Sequence, residues 1–156
     1  MIDAQVQHLI ERQIVRDGRS LLQYVEEAFP YTPANAEEAH HRVDALAKDE
    51  QQAIGKLIRY LQKEHATPPL LGAFPSRFTT INFVSLGFML PAIVQEQQRG
   101  IADLEKGLHQ LPESEGRHVL WEYLESKRRR VQGLQSATQA SLPAAGHQGA
   151  AVHHEP

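Results

Sequence analysis

Apolar residues recur at three- and four-residue spacing along most of this chain, which is the period of one face of an α-helix. Four such stripes follow one another, and no segment shows the strict alternation of a strand. The pattern therefore predicts an all-α protein with four helices. They are expected from about Asp3 to Ala28, from Thr32 to about His65, from just after Thr79 or Thr80 to about Leu108, and from just after Pro112 to about residue 135.

A chain of 156 residues has the length of one domain, so the four helices are expected to share one core. Residues 1–135 would form the bundle. From Ser136 the sequence becomes rich in Ala, Gly, Gln, His and Pro, and it offers no apolar stripe to bury. Residues 136–156 are therefore predicted to be a disordered tail.

The lengths of the links suggest how the helices are arranged. Short links between the first two helices, and between the last two, predict two antiparallel hairpins. The middle link, Ala66 to Phe78, contains three prolines and a glycine, which favour an extended course. About 13 extended residues span roughly 45 Å, the length of a helix of about 30 residues. This link can serve as a long crossover, although a plain up-and-down bundle in which this loop is slack fits as well.

One carboxylate interrupts the apolar stripe of the second helix. Glu50 stands in line with Leu46 and Ala47 before it and with Ala53 and Ile54 after it, so it should face the core. An isolated charge in an apolar interior costs several kcal/mol, on the order of the stability of a whole domain. Glu50 must therefore have a partner, which could be a metal, a cation or a hydrogen-bond network.

Matching the heights of the helices places other polar residues at the level of Glu50. Glu96 and Gln97 reach this level on the third helix, and Lys127 and Arg128 reach it on the fourth. Gln13 and Asp17 lie in the corresponding region of the first helix. We interpret these positions as a buried polar layer in which Lys127 or Arg128 neutralises Glu50, with Glu96 and Gln97 beside it. Such an ion pair fixes helix register more than it adds stability.

With these features the chain resembles the ferritin-like superfamily over residues 1 to about 135. The resemblance rests on the helix lengths, the long central crossover and the core-facing acids in LAKDEQQAIGKLIRYL and LPAIVQEQQRGIADLE. It implies a ferritin-like four-helix bundle. Members of that family bind two irons through a glutamate from each of two helices and a Glu-x-x-His pair from each of the other two. By position, the resemblance implies that Glu50 is the family's ligand glutamate of the second helix and Glu96 that of the third.

The remaining ligands of such a di-iron site are missing from the pattern. Ala53 stands where a histidine would follow Glu50 by three residues, and the fourth helix has Arg128 three residues after Glu125. The resemblance thus implies a degenerate metal site. Three Glu-x-x-His matches do occur, but they lie near helix starts, where acids cap helices and compensate the dipole. They are Glu37 with His40, Glu38 with His41, and Glu115 with His118.

Two functional hypotheses follow. The favoured one is a non-catalytic module without a cofactor, which associates with a second copy of itself or with another protein. The alternative is an oxidoreductase or iron-handling protein with a carboxylate-bridged iron or manganese site, in which Glu50 and Glu96 are ligands and His40 is a remote one.

Composition removes several other classes. The formal net charge of −3 and pI near 6.3 give no general attraction to nucleic acid or anionic membranes. The absence of cysteine excludes disulfides and thiolate chemistry. The most apolar window, from Ile81 to Val94, is too short and too polar to span a bilayer, and the amino terminus has no secretory signal pattern. A cytoplasmic location is the expectation.

Overall fold

The computed structural model describes residues 1–28, 37–81 and 84–141, and within them the chain is helical with no strand. The helices are α1 (Ala4–Gly18), α2 (Leu21–Ala28), α3 (Glu37–Lys63), α4 (Leu86–His109) and α5 (Glu115–Ser141), with a short 3-10 helix at Ser76–Ile81. The prediction of an all-α protein in which four helical arms pack together is confirmed, with α1 and α2 forming one broken arm.

The break in the first arm corrects the prediction of one helix from Asp3 to Ala28. The α-helix stops at Gly18 and restarts at Leu21. Ser20 begins the second segment, because its hydroxyl oxygen accepts a hydrogen bond from the backbone N–H of Gln23 at 3.2 Å. This is the N-cap arrangement for which serine is strongly preferred. The break leaves the side chain of Ser20 pointing into the core, where it is 2% exposed.

Two other helix boundaries differ from the prediction. Helix α4 begins at Leu86, because Thr79 and Thr80 belong to the 3-10 helix and donate their hydroxyls to carbonyls three residues earlier. Helix α5 continues through residues 136–141, which were assigned to the tail, and Ala137 within it is fully buried. The predicted start of the second helix at Thr32, and residues 142–156 of the predicted tail, lie outside the described residues.

Helix α5 runs antiparallel to α3. Near one end of the pair Lys63 contacts Glu115 at 2.7 Å, and further along Asp49 contacts Arg130 at 3.1 Å. As the residue numbers fall along α3 they rise along α5, so the two helices point in opposite directions.

Helix α5 also runs antiparallel to α4, because Arg117 donates to the Leu108 carbonyl at 3.3 Å and Arg128 pairs with Glu105 further along. Helices α3 and α4 are therefore parallel to each other. The connection between them has to return along the length of the bundle before α4 begins.

The core consists of two apolar clusters, one toward each end of the bundle. The first cluster includes Val6, Ile10, Ile14, Leu57, Leu61, Leu104, Leu108, Leu120 and Leu124. The second includes Leu22, Val25, Val43, Ala47, Leu86, Leu90, Ile93, Leu134 and Ala137. In every arm the residues between these two sets include buried polar side chains, and these form the candidate site.

Candidate functional site in the bundle core

A layer of buried polar side chains lies between the two apolar clusters, and we call it the polar layer. Each of its members is at most 6% exposed. They are Asp17, Ser20, Gln23, Glu50, Gln97, Tyr123, Lys127 and Arg130. Every arm of the bundle contributes a side chain to the layer, and the hydrogen bonds of the layer connect the arms to one another.

Glu50 is completely buried and is held by three hydrogen bonds. Its Oε1 atom accepts from the Ser20 hydroxyl at 2.7 Å and from the Gln23 amide at 3.1 Å, and its Oε2 atom accepts from the Gln97 amide at 2.8 Å. All three donors are neutral. Within the described chain no cation lies within ion-pair distance of Glu50, so it is a hydrogen-bonded carboxylate and not half of a direct pair.

The ion pair of the layer forms instead between Lys127 and Asp17. The Lys127 ammonium lies 2.8 Å from Asp17 Oδ1, and the two side chains are 1% and 3% exposed. The Tyr123 hydroxyl donates to the other oxygen, Oδ2. The sequence interpretation placed Lys127 in the layer but gave it Glu50 as partner, and the structure corrects the partner to Asp17.

A glycine in α4 makes room for this lysine. A Cβ atom at Gly100 would lie 2.8 Å from Lys127 Cε and 3.1 Å from its Nζ. The lysine stem therefore crosses α4 where that helix has no side chain. An alanine at this position would force the end of the lysine side chain to shift from the place where it pairs with Asp17.

Burial and nearby charges shift the pKa of Glu50. Desolvation is the largest effect and raises the pKa above its ordinary value of 4.5, and the Asp17 carboxylate raises it further. Lys127, the hydrogen bond from Ser20 and the charge of Arg130 act in the opposite direction. The pKa of Tyr123 is raised well above its usual range by burial and by Asp17, so its hydroxyl remains a donor.

Arg130 is the second buried cation of the layer, although the sequence interpretation chose Arg128. Arg130 is 1% exposed, and its Nη1 contacts Asp49 at 3.1 Å and also donates to Ser126. Its Nε and Nη2 atoms are buried and have no partner among the described residues. Arg128 is 37% exposed and pairs at the surface with Glu105 and Glu125, so its assignment to the layer was wrong.

Glu96 lies beside the layer and is only partly buried. Its Oε1 atom accepts from the backbone N–H of Leu21 at 2.8 Å, at the start of α2. Burial raises the pKa of Glu96, while this hydrogen bond and the charge of Arg77 lower it. Glu96 thus ties α4 to the break in the first arm.

His40, the remote ligand of the metal hypothesis, is half-buried near the start of α3 and stacks edge-on with His41. It precedes Glu50 by ten residues, or about 15 Å along a helix. Among the described residues, no group of three or more His, Asp or Glu side chains has a geometry that could hold a metal ion.

Comparisons with protein-family models, with curated proteins and with solved structures gave no match. No helix in the described part of the chain combines the length and apolar character needed to cross a bilayer. The contacts of individual residues are therefore the basis on which a function can be assigned.

Replacing Lys127 by methionine should expose the dependence of the fold on its ion pair. Methionine retains much of the stem but leaves Asp17 charged and unpaired in the core, which should cost about 3 kcal/mol or more of unfolding free energy. Adding Asp17→Asn should restore part of the loss. Urea denaturation measures both. The control is Lys56→Met at an exposed position on α3, expected within about 0.5 kcal/mol of wild type. A Lys127→Met loss no larger than the control's would contradict the assignment.

The raised pKa of Glu50 gives a pH dependence with a definite sign. Because the folded state binds this proton more tightly than the unfolded chain, the associated stability is fully present below about pH 4.5 and is lost as pH rises through the folded pKa. The unfolding free energy of wild type minus that of Glu50→Gln should therefore fall above pH 4.5 and then level off. Denaturation curves at a series of pH values test this, and a difference that increases with pH would refute it.

Proposed function

We propose that this chain is a ferritin-like four-helix bundle without catalytic activity, in which the polar layer replaces the di-iron centre of that family. The arrangement of the arms supports the proposal. The first arm runs antiparallel to α3, because Ser20 contacts Glu50 and Gln23 contacts the Ala47 carbonyl, and α4 runs antiparallel to α5. The connection between these two pairs returns along the bundle, as in the one-crossover bundles of ferritin-like folds. In this role the bundle is a structural or interaction module whose interior carries no reaction.

The proposal rests on the hydrogen bonding of the Glu50 carboxylate. Both of its oxygens are already bonded to Ser20, Gln23 and Gln97. An iron at this position would have to displace those donors, and it would meet the positive charge of Lys127 close by. Carboxylates and imidazoles are what iron sites of this type use as ligands. In the layer a lysine ammonium and neutral amides stand beside the two carboxylates instead.

An exposed apolar strip on α4 supports the interaction role. Phe88 is 77% exposed, and Pro91 and Ala92 are exposed at the three- and four-residue spacing that places them on the same face. Contiguous apolar surface of this kind marks interaction sites on proteins that are otherwise polar outside. A second copy of the chain is the partner we propose for this strip.

Metal content tests the replacement of the di-iron centre. Untagged protein purified without chelators, then loaded anaerobically with ferrous iron or manganese, should retain well below one equivalent per chain by mass spectrometry. Glu50→Gln and the exposed control Glu122→Gln should behave like wild type. About two equivalents of iron in wild type, lost only in Glu50→Gln, would establish the carboxylate-bridged di-iron alternative instead.

Self-association through the α4 strip should appear in sedimentation velocity over a concentration series. Wild type should shift toward a dimer as concentration rises, and Phe88→Ser should need a higher concentration for the same shift, because it removes the largest apolar side chain of the strip. Leu70→Ser, at a residue of the link after α3 that is 94% exposed, is the matched control. A wild type that stays monomeric throughout would refute self-association.

A further inference from the structure

A surface pocket lies at the break between α1 and α2, and Glu96, which lies beside the polar layer, is part of its wall. Its walls come from the end of α1, the start of α2, the 3-10 helix region and α4. Its volume is about 520 Å³. That volume falls in the range of roughly 300–1,000 Å³ found for small-molecule sites. Four arginines line it, namely Arg16, Arg19, Arg77 and Arg99.

The first two arginines are fixed in position by contacts with the protein. Arg16 pairs with Asp103 on the neighbouring face of α4. Arg19 donates from Nε to the Gly72 carbonyl at 2.6 Å and from Nη1 to the Gly18 carbonyl at 3.1 Å. Carbonyl oxygens are neutral acceptors, so the positive charge of Arg19 is oriented without being cancelled.

Arg77 and Arg99 are exposed, and neither forms an ion pair with another described residue. The guanidinium of Arg77 lies 4.9 Å from the centre of the Phe78 ring, a stacking contact that leaves its N–H groups free to bind an anion. One carboxylate, Glu96, is found among the described residues of the pocket wall. The wall thus has an excess of positive charge although the whole chain is acidic.

The rest of the wall is largely apolar. Val15, Leu21, Phe78 and Ala92 contribute to it, and Val15 is 45% exposed to solvent. Planar cations beside an apolar surface suit a ligand with one charged end and one apolar end. Arginine is the residue best matched to carboxylate and phosphate groups, because its planar fork donates two parallel hydrogen bonds.

We propose that this pocket binds a small organic anion, with a single carboxylate or phosphate group attached to an apolar body. Arg77 and Arg99 bind the anionic group, and Val15, Leu21 and Ala92 cover the apolar body. Glu96 disfavours additional negative charge on the ligand by like-charge repulsion. The site does not depend on the absence of a metal in the polar layer. It shares Ala92 with the apolar strip on α4, whereas Phe88 and Pro91 of that strip are not in the pocket wall.

Calorimetric titration of the full chain at low salt tests the site with defined probes. Hexyl phosphate and hexanoate should bind at one site per chain, inorganic phosphate more weakly, and hexanol without measurable heat. The double variant Arg77→Gln/Arg99→Gln should weaken hexyl phosphate binding about tenfold or more, because the charge-assisted hydrogen bonds of both guanidinium groups to the anion are lost. Arg59→Gln, at an exposed position on α3 outside the pocket, is the matched control and should bind as wild type does.

Three results would overturn the proposal. They are no binding of either hexyl anion at millimolar concentration, equal binding of hexanol, or the same loss of affinity in the control as in the double variant.

A sedimentation assay with phosphatidylcholine vesicles containing phosphatidic acid distinguishes binding of a free ligand from binding to a lipid surface. Binding to these vesicles without binding to hexyl phosphate would reject the small-ligand site in favour of a membrane contact. Because both replaced arginines are exposed, melting curves should confirm that the double variant folds normally.

Discussion

The buried ion pair between Asp17 and Lys127 is the constraint to which the neighbouring structure conforms. A charge removed from water needs both a counter-ion and hydrogen bonds, and the layer provides them from every arm of the bundle. Tyr123 occupies the second oxygen of Asp17, and Gly100 leaves the space through which the lysine passes. Glu50 sits close enough to this pair for both charges to act on it, yet neutral donors hold it.

The break in the first arm serves both the interior and the surface. On the inside, Ser20 supplies a hydroxyl to Glu50 and also caps the start of α2. On the outside, Arg19 is anchored on backbone carbonyls, and the N–H of Leu21 holds Glu96 in the wall of the pocket. The break between α1 and α2 thus links the polar layer in the core to the wall of the proposed anion pocket.

The helical periodicity predicted the all-α class and the inward position of Glu50, because both depend on local spacing. Gln97 and Lys127 also lie in the layer, as height matching suggested. Ser20 and Gln23 were missed, since the apolar stripe of the first arm continues in phase across the break. Arg130 could have been found: Tyr123, Lys127, Arg130 and Leu134 follow one another at spacings of four, three and four.

Gly100 has a consequence for anyone who wishes to make this protein more heat-resistant. Exchanging a glycine inside a helix for alanine is a standard way to gain about 1 kcal/mol. Gly55 in α3 suits that exchange, because the nearest atom to an added Cβ is the flexible end of Arg59 at 3.3 Å. Gly100 looks the same in the sequence, but the added methyl group would lie 2.8 Å from the stem of a buried lysine that is paired with Asp17. A consensus or propensity-based redesign would therefore treat two unlike positions alike, and only one of them would tolerate it.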